Sequence, residues 1–195
     1  MDDKELILLV QQGDEEAFEE IMRNYKNKIV NFIYNLTGDY EKAVEISQET
    51  FIKVYLKAKK YKPKAPLSSW IFTIASNLAK TELKKMNKQR YIPIENVYNH
   101  NQEGLSERDD LEKKEMTEKI KRALGHLHRK YRIPLVLKDI EGFSQEEIAE
   151  ILKKPVGTIK AQISRGRKYL KQEIKKDNYK IGLKAEGQEL GNERA

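Results

Sequence analysis

The feature that most constrains this chain is the spacing of its apolar side chains. They recur at intervals of three and four along most of the 195 residues, and extended alternation is hard to find. That period keeps one face of an α-helix apolar, whereas a half-buried strand needs a period of two. An all-α fold is therefore expected. A first helix fits Lys4–Gln12, and Asp14, Glu15 and Glu16 suit the first turn of the next, where acids meet the positive helix end. This second helix should bury Phe18, Ile21, Tyr25, Ile29, Phe32, Ile33 and Leu36 and stop at Gly38. A third is expected over Tyr40–Tyr61. Pro63 and Pro66 then break the pattern, and Ser68 or Ser69 is placed to cap a fourth helix running to about Arg90.

From Tyr91 to about Arg108 the periodicity fails. Pro93, several Asn and Gly104 mark a linker. Helices resume near Asp109 and run to about Lys176; the glycines at 182, 187 and 191 and polar composition then suggest a disordered tail. The expected organisation is two helical domains, 1–90 and 112–177, joined by a flexible linker over 91–111, with a tail over 178–195.

Charge follows the same division. Residues 1–52 hold twelve acids against five bases, whereas Lys53–Arg90 holds eleven bases and one acid, Glu82. Lys153–Lys176 holds nine bases and one acid, Glu173, while Glu103–Glu118 carries seven acids against three bases. Two basic blocks tethered by an acidic stretch suit a protein that grips one polyanion at two places. Two solvated helix faces would give the same pattern.

The sharpest local signal lies at 142–174, GFSQEEIAEILKKPVGTIKAQISRGRKYLKQEI. Ser144 with Glu147 three residues on makes a capping box at a helix start, and Ile148, Ala149, Ile151 and Leu152 form that helix's buried stripe. Pro155 opens a second, longer and basic helix after a tight turn, the pattern of a DNA-reading helix-turn-helix. On the second helix Val156, Ile159, Ile163, Leu170 and Ile174 share one side with Gly166, which is expected to allow close packing. Gly157, Thr158, Ala161, Ser164, Arg165 and Lys168 lie opposite, flanked by Lys160, Arg167 and Lys171. Arg165 can donate two hydrogen bonds to a guanine edge, and the lysines suit phosphates.

The run from Arg129 to Leu170 resembles region 4 of the extracytoplasmic-function (ECF) sigma factors of the sigma-70 family. The resemblance implies that the domain reads the −35 promoter element and contacts DNA through Lys160, Ala161, Ser164, Arg165, Arg167 and Lys168. The same domain fold occurs in response-regulator activators, so the N-terminal half has to decide between them.

There, GDYEKAVEISQETFIKVY at 38–55 sets Glu45, Gln48, Glu49 and Ile52 at spacings of three and four, with Ile46, Phe51 and Val54 toward the core. This stretch is similar to region 2.2, which implies docking of Glu45, Gln48, Glu49 and Ile52 on the β′ coiled coil of core RNA polymerase. Next, YKPKAPLSSWIFTIASNLAKTELKK at 61–85 leads a proline-broken basic loop into a helix with Trp70, Ile71, Ile74, Ala75 and Leu78 apolar. It resembles regions 2.3 and 2.4, which open and read the −10 element. An unpaired base must be extruded and held by stacking and hydrogen bonds. Tyr61 can supply a stacking face, Lys62 and Lys64 phosphate or base contacts, and Asn77, Lys80 and Lys84 an exposed polar side. Trp70 is read as core rather than as a base-stacking ring.

The resemblance further implies promoter DNA and core polymerase (β′ coiled coil and β flap) as partners, and an anti-sigma factor that holds such proteins inactive. Three histidines and no cysteine give no metal cluster or thiol chemistry, and neither paired carboxylates nor a phosphate-cradling glycine loop mark a catalytic site. No catalytic residue, cofactor or metal is therefore expected. No apolar run approaches the roughly 18 residues of a membrane span, and MDDKELILLVQQGD is unlike a secretory signal, so a cytoplasmic protein is expected. The rival reading is a free-standing helix-turn-helix activator or repressor, which usually adds a ligand or phosphoacceptor domain, or a strong dimer seam.

Overall fold

The computed structural model describes residues 1–62, 65–88 and 107–192, with side chains over 1–62, 65–86 and 116–176. Among them are α1 (Asp3–Gln12), α2 (Glu15–Thr37), α3 (Tyr40–Lys57), α4 (Leu67–Lys88), α5 (Glu107–His126), α6 (Arg129–Asp139), α7 (Gln145–Leu152) and α8 (Val156–Asn192). A single 3-10 turn, Ala58–Lys60, follows α3, and no strand occurs among the described residues.

Short polar side chains set most of the helix starts. Asp2 accepts from the Glu5 N–H at 2.7 Å while Glu5 accepts from the Asp2 N–H at 3.1 Å, a reciprocal cap on α1. Asp14 accepts from Ala17 N–H at 2.9 Å and Asp39 from Lys42 N–H at 2.9 Å, capping α2 and α3. Gly13 and Gly38 close α1 and α2 with φ of 97° and 74°, conformations that cost a side chain but not glycine.

Four boundaries differ from the sequence expectation. The α-helical part of α3 stops at Lys57 and tightens into the 3-10 turn before Tyr61. Helix α4 starts at Leu67, its Trp70 N–H donating to Pro66 C=O at 3.2 Å, so Ser68 and Ser69 lie inside the helix and cap nothing. Helix α5 starts at Glu107 and takes in most of the acidic stretch, because Glu, Lys and Leu are good helix formers whatever their net charge. The rest of the expected linker, 91–106, lies outside the described residues. Helix α8 continues to Asn192 rather than ending near Lys176; three glycines at about 1 kcal/mol each do not interrupt a run otherwise rich in Lys, Glu, Leu and Ala.

In the N-terminal half α2 is the centre, packed by α1, α3 and α4. Its Ile21, Ile29, Phe32, Ile33 and Leu36 are fully buried, each contributing about 1.5–3 kcal/mol of transfer free energy. Phe18 is half-buried against Tyr55, ring centroids 5.0 Å apart. In the C-terminal half α8 crosses α5, α6 and α7. Ile148, Ile151, Ile159, Ile163, Leu135 and Leu137 make that core.

The two halves also pack on each other: α4 meets α7 and α6, and α2 meets α5 and α6. Phe72 of α4 and Phe143, just before α7, stack edge-on at 4.8 Å. Arg132 of α6, buried to 6% exposure, donates to Leu127 C=O at 3.2 and 2.8 Å and to Gly125 C=O, satisfying the carboxyl end of α5. It also reaches Leu36 C=O at the end of α2, 2.5 Å away. One guanidinium thus serves carbonyls at the negative ends of two helices, one in each half.

Candidate nucleic-acid interface

The turn between α7 and α8 is built as the sequence predicts. Ser144 accepts from Glu147 N–H at 3.1 Å and its own N–H donates to Glu147 at 2.8 Å. Lys153 ends α7 in the left-handed conformation, φ 51°, and Pro155 stands just ahead of α8, its carbonyl accepting from Ile159 N–H at 3.2 Å. Ile159 and Ile163 are buried and Val156, Leu170 and Ile174 half-buried, so the opposite side of α8 faces out. Lys160, Ala161, Ser164, Arg165, Arg167 and Lys168 are all exposed.

Two of these cations are already oriented by α6. Arg167 clasps Asp139 with two hydrogen bonds, 3.0 and 2.5 Å, which hold the guanidinium above its ordinary pKa. The Tyr131 hydroxyl is held below its ordinary value by Lys130 first and, further down, by Arg165 and Tyr169. The Arg165 guanidinium therefore lies beside Tyr131, pre-positioned at the edge of the exposed face. Gly166 rests on α6, where an added methyl would stand 3.4 Å from Tyr131 C=O and 3.5 Å from its Cβ. That is ordinary contact, so close packing does not require glycine there.

The residues read toward a melted strand divide. Lys62, Asn77 and Lys84 are exposed, and Lys64 lies outside the described residues. Tyr61 is 9% exposed, its ring against Trp70 with centroids 4.9 Å apart and its hydroxyl donating to Ala65 C=O at 2.6 Å. The expected stacking face is thus a part of the core. Half-buried Trp70 takes up the other side of that pair, in keeping with the core reading. Lys80 is half-buried on α4, and its ammonium is held below the ordinary lysine value, by burial first and then by Lys154 and Lys153 of the α7–α8 turn.

One stripe of α4 was not anticipated. Ser69, Phe72, Ser76 and Lys80 follow at spacings of three and four, so they share one side of the helix. Phe72, one turn before Ser76, meets Phe143 of the C-terminal half, and Lys80, one turn after it, lies within the field of Lys153 and Lys154. Ser69 and Ser76 are buried, and their hydroxyls are the two buried side-chain groups without a hydrogen-bond partner among the described residues. A buried donor left unmade costs about 1–3 kcal/mol.

The docking residues read on α3 share an open edge. Glu45, Gln48 and Glu49 are exposed; Glu45 pairs with Lys42 at 2.6 Å, which draws its carboxyl below the usual range, and Glu49 pairs with Lys53 at 3.1 Å. Ile52 is 59% exposed, and sequence reasoning missed its neighbours Tyr55 and Leu56, 42% and 72% exposed. Their positions three and four residues beyond Ile52 were the available signal. An acidic edge beside three exposed apolar side chains is a surface suited to a partner, not to water. Among the described residues no group of acids and histidines is arranged to hold a metal, and no helix is long and apolar enough to cross a membrane.

Two helical units, one with a helix-turn-helix and the other with a basic helix beside an acidic-apolar edge, define a class of DNA-directed protein that works with a protein partner. Comparison with known proteins narrows it. The "Sigma-70 region 2" family matches residues 21–89 and the "Sigma-70, region 4" family residues 117–170. The chain is 33% identical over 180 residues to the ECF RNA polymerase sigma factor SigW of Bacillus subtilis, covering 88% of this chain and 96% of that one. It is 30% identical to the RNA polymerase sigma-H factor of Pseudomonas aeruginosa, covering 85% and 90%. Among solved structures it is similar to sigma factor RpoE in complex with the anti-sigma factor NepR from Bartonella quintana, with TM-score 0.67, 26% identity and 82% and 98% of the two chains covered. The chain belongs to the ECF sigma factors of the sigma-70 family. Its function is promoter-directed initiation through RNA polymerase, which excludes the free-standing regulator.

Proposed function

We propose that the three surfaces divide that task. The α3 edge of Glu45, Gln48, Glu49 and Ile52, extended by Tyr55 and Leu56, docks on the β′ coiled coil of core polymerase, and the C-terminal unit on the β flap. The outer face of α8 reads the −35 element, with Arg165 on a base edge and Lys160, Arg167 and Lys168 on phosphates. The loop carrying Lys62 and Lys64, with Asn77, Lys80 and Lys84 of α4, holds the melted −10 strand. Nucleotide transfer belongs to the polymerase, so the chain itself is not an enzyme, and it works in the cytoplasm with that polymerase. An anti-sigma factor controls it, as the complex of RpoE with NepR suggests.

The observation that carries this reading is the sidedness of α8. Ile159 and Ile163 are at most 2% exposed while every residue assigned to the −35 element is exposed. A helix whose apolar side is wholly used by its own domain presents its polar side in one fixed orientation, which groove reading requires. The docking assignment is tested with Glu49→Lys, measured by co-elution with core polymerase. Weaker holoenzyme formation is expected, and formation equal to that of the parent chain rejects the assignment.

A further inference from the structure

The turn that leads toward Lys62 is tied down by a residue distant in sequence. Helix α3 ends at Lys57, the 3-10 turn Ala58–Lys60 follows, and at Tyr61 the backbone becomes extended, with φ −67° and ψ 131°. Carbonyls at such a helix end have no partner within the helix. Gln11, half-buried in the last turn of α1, provides one. Its side-chain nitrogen donates to Ala58 C=O and to Tyr61 C=O, 3.0 Å each, across 47 and 50 positions of sequence. Only the NH2 group of a glutamine can donate, so both amide hydrogens serve this one turn. The Tyr61 carbonyl belongs to the planar peptide that joins Tyr61 to Lys62, and holding it sets the plane from which the chain leaves the turn. The rest of Tyr61 is held as well. Its N–H donates to Ala58 C=O at 2.9 Å, its hydroxyl donates to Ala65 C=O at 2.6 Å, and its ring lies against Trp70. The next residue, Lys62, is exposed. Helix α1 is a firm base for this clamp, with Leu6, Ile7 and Val10 buried and Asp3 accepting from the Tyr25 hydroxyl of α2.

We propose that Gln11 is a positioning residue for −10 recognition: by fixing the Tyr61–Lys62 peptide it holds Lys62 ready for the melted strand, and so sets how sharply the downstream element is read. It acts through Tyr61 rather than on DNA. This rests on the reading of Lys62 as a strand-holding residue. A base taken out of the stack is recognised by groups that stand within about 0.5 Å of their productive positions. A turn ordered beforehand also loses less conformational freedom on binding. Gln11 belongs neither to the α3 edge nor to the outer face of α8, so its removal acts on one promoter element and leaves the other.

The test is in-vitro transcription by the holoenzyme on promoters whose two elements vary independently, comparing Gln11→Met with the parent chain. Methionine keeps the length of the side chain but has no donor. Preference at the downstream element should fall about tenfold, the scale of one to two lost hydrogen bonds, with upstream preference and holoenzyme formation unchanged. Gln11→Lys, whose ammonium can again donate to both carbonyls, should restore most of that preference. Should Gln11→Met fail to fold, Gln11→Glu, of the same length and without a donor at neutral pH, carries the same expectation. A merely structural role would lower the active fraction and scale initiation equally on every promoter, and that result overturns the proposal. An unchanged downstream preference overturns it too, as does a loss that Gln11→Lys does not reverse. Lys62→Ala separates the two levels. If it relaxes the downstream element and the donor-free variants do not, the clamp alone is rejected; if none of them relaxes it, the strand-holding reading of Lys62 falls as well.

Discussion

Helices α8 and α4 are built alike: each is basic, each buries an apolar side in its own unit, and each carries polar side chains on the remainder. They differ in what covers those polar side chains. On α8 the face opposite Ile159 and Ile163 meets solvent, and its cations are steadied from the side by Asp139 and Tyr131. On α4 Phe72 packs on Phe143 of the other half of the molecule, Ser69 and Ser76 are buried, and Lys80 is desolvated. The difference suits the roles proposed for the two helices. A duplex groove is always present and needs only a fixed face, whereas bases of a melted strand exist only once initiation has begun. An open face and a largely buried one are separable by experiment.

The largest effect is expected on the open face. Arg165→Ala should remove discrimination at one −35 position, about 1–3 kcal/mol or roughly five- to 150-fold, with polymerase affinity nearly unchanged. Competition binding on matched and mismatched duplexes checks it, and equal loss on all sequences would reject base reading by Arg165.

In the α6–α7 turn, burial pushes the Glu141 carboxyl up to about 7, opposed by Lys28. The folded state therefore takes up a proton that an unfolded chain, with an ordinary glutamate value, would not hold. Stability gained this way is full below the ordinary glutamate value and is lost as pH rises through about 7. The chain should be more stable near pH 5 than above pH 8 by roughly 1–2 kcal/mol from this group, and Glu141→Gln should flatten that slope in denaturant titrations.

A smaller change is expected from Ser76→Ala. Removing a buried hydroxyl without a partner should stabilise the chain by about 1 kcal/mol in urea unfolding. Destabilisation would mean that Ser76 is satisfied where it lies. The smallest effect is Gly166→Ala on α8, where contacts of 3.4–3.6 Å admit the methyl; a gain from a few tenths to about 1 kcal/mol in thermal stability is expected.

What could be read in the sequence was whatever repeats locally. The stripes of α2 and α8, the capping box of Ser144 and Glu147, and the α3 edge depend on neighbours three or four residues apart. Contacts between distant segments left no such trace. Tyr61 reads as a free aromatic ring until Trp70 is folded onto it, and nothing local marks Phe72 as the partner of Phe143 from the other unit. Arg132, placed in a basic and apolar run, gives no hint that it reaches Leu36 C=O, 96 positions away. The acidic stretch reads as a tether between the two basic blocks, with helices resuming near Asp109, and helix α5 takes it in from Glu107 onward.

The most direct test of the central assignment is in-vitro transcription by bacterial core polymerase, with and without this protein, on a library in which two promoter elements vary independently. Selective initiation at sites that share both elements is predicted, with Arg165→Ala relaxing the upstream element alone. Initiation no different from that of core polymerase by itself would contradict the reading of α3, α4 and α8 together.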